Sequence, residues 1–333
     1  MSSKKEKIQS TIKSTDTEEN IDIYWTRPIG YMWAKFFERL GVHPNTVTII
    51  SMFLGAGAGI CFFFDSYRLA GLDGLYINIL GVLLLAWANF YDSADGQLAR
   101  MTGKKSRLGR ILDGMAGFVW FIPIYLALVY RFYLHHDIEF GWLGIENNEQ
   151  NTLIATAIVF VLGVVSGFLG MGAQQRLADY YIQVHLFFLK GEKGSELDNS
   201  VAQQKAYDET PWEGNRLWKY FLKTYVDYTK KQEATTPEFQ RMMAVLKDKY
   251  GSASDIPTEL REEILRESRG VLPWNGALTF NFRALMFWIF CLCDVPALNF
   301  VWEIFGMGLL WAYTRHRHES FCKRIADRLK IEN

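Results

Sequence analysis

Six apolar stretches, near residues 46–64, 75–90, 114–130, 153–171, 278–292 and 297–313, limit what this chain can become more than any other feature. A helix crosses a hydrocarbon layer with about 20 mostly apolar residues, and backbone groups inside that layer must bond within their own segment. The pattern therefore predicts an all-α integral membrane protein with six transmembrane helices. Half of the 333 residues are hydrophobic, yet 36 basic and 36 acidic side chains bring the formal charge to zero. That balance conceals two populations, the apolar spans and a charged section over residues 190–270.

The remaining segments complete the expected order. Residues 1–20 carry Lys4, Lys5, Lys7, Lys13 and several acids without an apolar h-region, which predicts a solvated polar tail and no cleavable signal. Over 21–41, Tyr24, Trp25, Arg27, Tyr31, Trp33, Lys35, Phe36, Phe37 and Arg39 mix rings with cations, the pattern of an N-terminal amphipathic helix lying among lipid headgroups. Residues 42–189 then hold spans one to four, with Gly55, Gly57 and Gly59 allowing close helix approach. Asp137, Glu139, Glu146 and Glu149 fall in an expected loop. Residues 190–270 read as a soluble helical insertion with helices near 218–231 and 237–250, where Thr236 makes a weak cap. Spans five and six occupy 271–314, and 315–333 form a tail opening on Arg315, His316, Arg317 and His318. An even number of spans places both termini on one side. Lys104, Lys105, Arg107, Arg110 and Arg315 assign that side to the cytoplasm, as expected of an inner or plasma membrane protein.

The chemistry concentrates where the second span ends. Asp92 and Asp95 are three residues apart, so on a helix both carboxylates leave one face. Asp113 arrives from the start of the next helix, which brings a third acid to the same membrane edge. Acids there are costly unless a cation sits among them, and Mg²⁺ or Mn²⁺ is the usual choice because hard ions take carboxylate oxygen and recruit phosphate. Gly96 and Gly109 lack side chains that would hold a flat base or a diphosphate away from the backbone.

The pattern Asp92-x2-Asp95-Gly96-x2-Ala99-Arg100-x8-Gly109-x3-Asp113 resembles the signature of the CDP-alcohol phosphotransferase (CDP-alcohol phosphatidyltransferase) family, integral membrane enzymes of phospholipid synthesis. The resemblance covers residues 21–185 and implies a CDP-linked lipid donor, often CDP-diacylglycerol. A small polar alcohol acceptor would attack the lipid-side phosphate while CMP leaves. It implies that Asp92, Asp95 and Asp113 hold one or two divalent ions, Asp95 and Asp113 being the catalytic pair. Gly96, Ala99 and Gly109 would make room for the cytidine end, and Arg100 would steady the site by ion pairing. Family members commonly pair as homodimers. One position departs from the signature: Gly117 stands where the family carries a fourth aspartate, its expected general base and second-metal ligand. Two readings follow, an enzyme using another base or water, and a catalytically inactive relative that binds a nucleotide lipid or a partner.

Other residues offer less. Arg283, near Asn281 at the start of the fifth span, would bind a phosphate or snorkel to the interface. Lys104, Lys105, Arg107 and Arg110 would bind a phosphorylated acceptor or only fix topology. Of the four cysteines, Cys61, Cys291, Cys293 and Cys322, the pair Cys291 and Cys293 lie too close for an ordinary metal pair and, in an apolar run, read as small buried hydrophobes rather than as a zinc or redox pair. The six histidines have no metal-ligand spacing, and His316 and His318 are expected in the exposed tail. No nucleophilic serine motif, phosphate-cradling glycine loop or nucleic-acid module occurs.

Overall fold

The computed structural model describes residues 14–64 and 73–331, and all regular structure among them is helical. A π-helical turn (Asp22–Thr26) leads into α1 (Arg27–Arg39), followed by α2 (Pro44–Phe63), α3 (Gly74–Thr102), α4 (Arg107–Leu134), α5 (Asp137–Leu143) and α6 (Glu149–Gly167). Then come α7 (Gln175–Lys190), α8 (Ser200–Glu209), α9 (Arg216–Thr235), α10 (Pro237–Tyr250), α11 (Thr258–Arg269), α12 (Leu272–Gly276), α13 (Phe280–Leu292), α14 (Ala297–Val301) and α15 (Met307–Ile331). The chain divides into two compact units. One holds the residues up to Gly172 together with Phe280–Met307, and the other holds Ala173–Thr279 with the residues from Gly308 on.

Among the described residues, four helical segments are long and apolar enough to cross a membrane: Pro44–Phe63, Gly74–Thr102, Leu108–Leu134 and Glu149–Lys190. The fifth expected span is α13, whose 13 residues extend about 20 Å against the roughly 30 Å of a hydrocarbon core. The sixth is a helical run, α14 and α15 joined by a π-helical turn at Trp302–Gly306, and it continues past the apolar residues into a charged helix. The first thirteen residues, most of the expected polar tail, and residues 65–72 lie outside the described part. Residues 137–143 form α5, where a loop was expected.

Local signals set the helix ends in the first unit. Pro44 occupies the first turn of α2, Asp73 caps α3 by accepting from Leu75 N, and Gly103, at φ 69°, closes it. Ser106 Oγ accepts from Gly109 N at 2.9 Å and starts α4. A Cβ on Gly55 would fall 2.1 Å from the Trp120 ring, and one on Gly59 would lie 3.2 Å from the α4 backbone, so the expected close approach there is real. Ala58, Phe62, Leu85, Trp120, Ile124, Leu128 and Phe287 fill the core that results. Outward, Phe53, Ile60, Leu83, Ile158 and Phe168 are exposed, as residues facing lipid are.

Two sequence readings in this unit need correction. Arg283 neither snorkels nor waits for phosphate: it is 1% exposed and pairs at 2.9 Å with Glu303, which also accepts from the Tyr125 and Ser166 hydroxyls. Twenty residues separate the pair, so only the packing of α13 against the later turn brings them together. Cys291 is buried, but Cys293 is exposed, one residue before Asp294 turns the chain at φ 59°.

The second unit packs α7, α10, α11 and α15 around Leu177, Tyr181, Phe188, Phe239, Met242, Ile264, Phe321 and Ile325. Helices α9 and α10 bracket the expected 218–231 and 237–250, and Thr236 makes no side-chain cap, its hydroxyl donating back to Gln232 O instead. Residues 315–331 are part of α15, and His318, expected in an exposed tail, is 2% exposed because its face of that helix meets α7 and α10. His316 is exposed as expected.

Candidate active site

Asp92 and Asp95 stand on the last turns of α3, and α1 fixes the direction of that stretch. Gly30 permits the contact: a Cβ there would lie 2.7 Å from Ser93 Oγ and 3.0 Å from Gln97 Nε2. Gln97 Nε2 donates to Arg27 O at 3.0 Å, and Arg27 Nη1 donates to Ser93 Oγ at 3.2 Å. Below them Ala34, Phe37, Val47, Ala94 and Leu98 form a small core. Tyr91 lies against Trp33 and Phe37 with ring centroids 5.0 and 5.2 Å away, which locks the residue preceding Asp92. The expected interfacial helix is thus also the clamp of the acid motif, while Tyr24, Trp25, Met32 and Phe36 remain exposed on it.

Asp95 is 5% exposed, and its Oδ2 accepts from the hydroxyl of Thr48 on α2. Asp92 is half-buried, and its Oδ1 is buried without a hydrogen-bond partner. Asp113, in the second turn of α4, is exposed. The three act electrostatically on one another, with Arg27 also acting on Asp92, and Arg100 on Asp95. Their ligand oxygens do not all come within 4.8 Å of one another. Ligands of one Mg²⁺ at about 2.1 Å lie roughly 3–4 Å apart, so caging a single ion requires these side chains to rotate inward. The donor set otherwise suits a hard cation. All three donors are carboxylates, one carries an unpartnered buried oxygen, and one exposed member leaves the site open to a substrate phosphate.

Two basic residues flank the acids. Arg27 forms an ion pair with Glu18, Nε to Oε2 at 2.8 Å and Nη2 to Oε1 at 3.0 Å. Arg100, half-buried, feels Arg27, Glu18, Asp113 and Asp95. Glu18, read as part of a solvated tail, therefore sits at the site with 6% of its side chain exposed. Asn281 Nδ2 donates to Glu19 Oε2 and Asp22 Oδ1 at 3.2 and 3.0 Å, which ties the same N-terminal turn to α13.

The glycines behave differently from one another. A Cβ on Gly109 would lie 2.9 Å from Asn45 Oδ1, so this glycine lets the start of α2 meet the start of α4. A Cβ on Gly96 would meet only the flexible end of Arg100 at 3.4 Å. Ala99 is half-buried on the next turn, and Gly117 is half-buried one turn beyond Asp113. Lys104, Lys105 and Arg110 are exposed. Sequence reasoning missed Glu18, Thr48, Ser93 and Gln97 as parts of the site. Ser93 and Gln97 had one available signal, two polar residues four apart on an apolar helix beside the motif.

Residues 41–170 match the CDP-alcohol phosphatidyltransferase family. An archaetidylinositol phosphate synthase from Pyrococcus horikoshii is 37% identical over 80 residues, 24% of this chain and 37% of that protein. The chain thus spans little more than a third of the length of this relative. No solved structure matches. The acid motif, held between α1, α2 and α4, lies inside the segment, residues 41–170, that matches the CDP-alcohol phosphatidyltransferase family model.

Proposed function

We propose that this chain transfers a phosphatidyl group from a CDP-activated lipid, such as CDP-diacylglycerol, to a small polar alcohol and releases CMP, a substituted-phosphate transfer of the EC 2.7.8 type. The observation that carries the reading is the carboxylate pair of half-buried Asp92 and buried Asp95, three residues apart, with an unpartnered buried Asp92 oxygen and with Asp113 acting on both. In this reading Asp92, Asp95 and Asp113 hold Mg²⁺ or Mn²⁺, which when bound neutralises charge on the diphosphate and its leaving group. Thr48 aims Asp95, and Arg27 and Arg100 supply positive charge beside the acids for phosphate oxygens. Gly96, Ala99 and Gly109 border the space for cytidine.

An apolar cleft of about 250 Å³ between α4 and α6, lined by Phe118, Ile122, Tyr125, Phe160 and Val164 among others, supports a lipid-linked donor. Phe118 is five residues beyond Asp113, about 7.5 Å along the helix, so an acyl chain lying there would start close to the acids. In the same reading α13 and the α14–α15 run complete six crossings, α1 rests at the interface, and the acid motif, both termini and residues 190–270 face the cytoplasm. Pairing of two copies is part of the proposal by resemblance alone.

Gly117 leaves the acceptor proton without the family's usual base. Asp113, one turn away and exposed, is the nearest acid on α4 and takes that role directly or through water. Offering CDP-diacylglycerol with serine, glycerol phosphate, inositol and inositol phosphate in turn tests the whole reading. Metal-dependent CMP release with one acceptor is expected, and none with any acceptor would turn the chain into an inactive relative that binds nucleotide lipid.

A further inference from the structure

The second unit holds a polar cluster that lipid chemistry does not use. His318 and Cys322 are one turn apart on the same face of α15, with Glu319 beside them. His318 Nδ1 lies 3.7 Å from Cys322 Sγ and 3.6 Å from Glu319 Oε1, and the three ligand atoms all lie within 4.8 Å of one another. His318 and Cys322 are 2% and 0% exposed. Rings wall the cluster: Tyr181 of α7 stacks on the imidazole at 3.8 Å and 13°, with Phe321 at 4.8 Å and Phe239 at 5.8 Å.

Glu319 is held from its far side. Its Oε2 accepts the backbone N–H of Glu238 at 2.7 Å, at the start of α10, which leaves Oε1 buried with no hydrogen-bond partner. The Tyr181 hydroxyl and His318 Nε2 are likewise buried with no hydrogen-bond partner. Tyr181 is 2% exposed, and the charges acting on its hydroxyl are those of Glu319 and Cys322 first. Native interiors satisfy nearly all such atoms, so Glu319 Oε1 and the Tyr181 hydroxyl, in one apolar core with the His318 imidazole and the Cys322 thiol, point to a shared ligand on the Nδ1 side of the ring. The spacing selects its kind. Tetrahedral zinc with sulfur at about 2.3 Å and nitrogen or oxygen at about 2.0–2.1 Å puts neighbouring ligand atoms roughly 3.3–3.6 Å apart. An imidazole and a thiolate also prefer such an ion to Mg²⁺.

We propose that His318 Nδ1, Glu319 Oε1 and Cys322 Sγ form a structural site for a thiophilic divalent cation, Zn²⁺ by chemistry, with a water on the fourth position held by the Tyr181 hydroxyl. Binding releases the thiol proton of Cys322 to solvent and leaves no other change in covalent structure. The ion ties α15 to α7 through the water and to α10 through Glu319. The site is independent of the transferase reading.

Full-length protein in detergent, stripped by chelation and titrated with Co²⁺, is expected to develop the intense near-ultraviolet band of a cobalt–thiolate bond. Zn²⁺ should then bleach the band and raise the midpoint of thermal unfolding. Cys322→Ser should lose the band, whereas Cys293→Ser, at the exposed cysteine, and Asp95→Asn, at the carboxylate site, should keep it. Tyr181→Phe retains the stacked ring and should weaken Zn²⁺ roughly 10-fold, as loss of an outer partner does. Absence of the band in the unmodified protein overturns the site whatever the variants do, and so does a band that survives Cys322→Ser.

Discussion

Asp92, Asp95 and Asp113 come from two helices and offer only oxygen, with one member open to solvent, whereas His318, Glu319 and Cys322 come from five consecutive positions of α15 and are closed in by rings. The first arrangement is suited to exchange. Carboxylates on separate helices adjust to an ion and leave room for phosphate oxygens to join it. The second is suited to permanence, because a thiolate and an imidazole on one rigid helical turn form much of the coordination shell before any ion arrives. Openness belongs with turnover and closure with stability, and the two clusters should therefore answer to different metals and different substitutions.

The largest expected effect is Asp95→Asn. It removes a buried charge from the ion's shell while keeping the shape and the Thr48 contact, so CMP release should fall by roughly 10²–10³-fold or more, as when one preorganised stabiliser is lost. Initial rates with each metal added back after chelation check the pairing. Mg²⁺ or Mn²⁺ should restore activity, and Zn²⁺ should restore thermal stability without restoring activity. Activity recovered by Zn²⁺ alone would erase the distinction between the clusters.

A smaller effect is expected at the clamp on α3. Gly30→Leu would push α1 off Ser93 and Gln97, an overpacking that costs about 1–3 kcal/mol. Thermal unfolding followed in detergent should show it, together with a raised KM for the CDP-lipid as the acid motif loses its fixed direction. Thr48→Val is gentler in shape. It removes the hydroxyl that donates to Asp95, and a hydrogen bond to a charged group is worth about 1.5–3 kcal/mol. That loss should appear as weaker Mg²⁺ dependence of the rate, with the fold intact.

These residues also mark how far the sequence could be read. The acid motif was legible because a fixed spacing on one helix carries its own geometry, and the four long apolar helices because bilayer thickness sets the length such a helix needs. The role of Arg27 was not legible. It stood in a row of rings and cations that said "interface", and only the register of α1 on α3 turns it toward Ser93 and pairs it with Glu18. Arg283 and Glu303 likewise meet through packing, although a lone glutamate in an apolar run was a signal that something must neutralise it. His318 was misread because Arg315, His316, Arg317 and His318 look uniformly polar. Burial on a helix is decided by face, and His318 shares its face with Cys322 and Ile325, which the spacing alone could have suggested.

Gly117→Asp carries the smallest expected change and sharpens the comparison most. Gly117 lies one turn beyond Asp113 on α4 and is half-buried, so a carboxylate there would join the open cluster from the same helix face. If proton removal from the acceptor limits turnover, a second acid at that position should raise kcat a few-fold and lower the metal concentration needed for half-maximal rate. General-base assistance is worth up to about 10²–10⁴ when it is wholly missing. A few-fold gain would therefore mean that Asp113 or water already carries most of the load. A fall in kcat with unchanged metal dependence would instead place the base outside α4, and the N-terminal acids beside Arg27 would be the next residues to substitute.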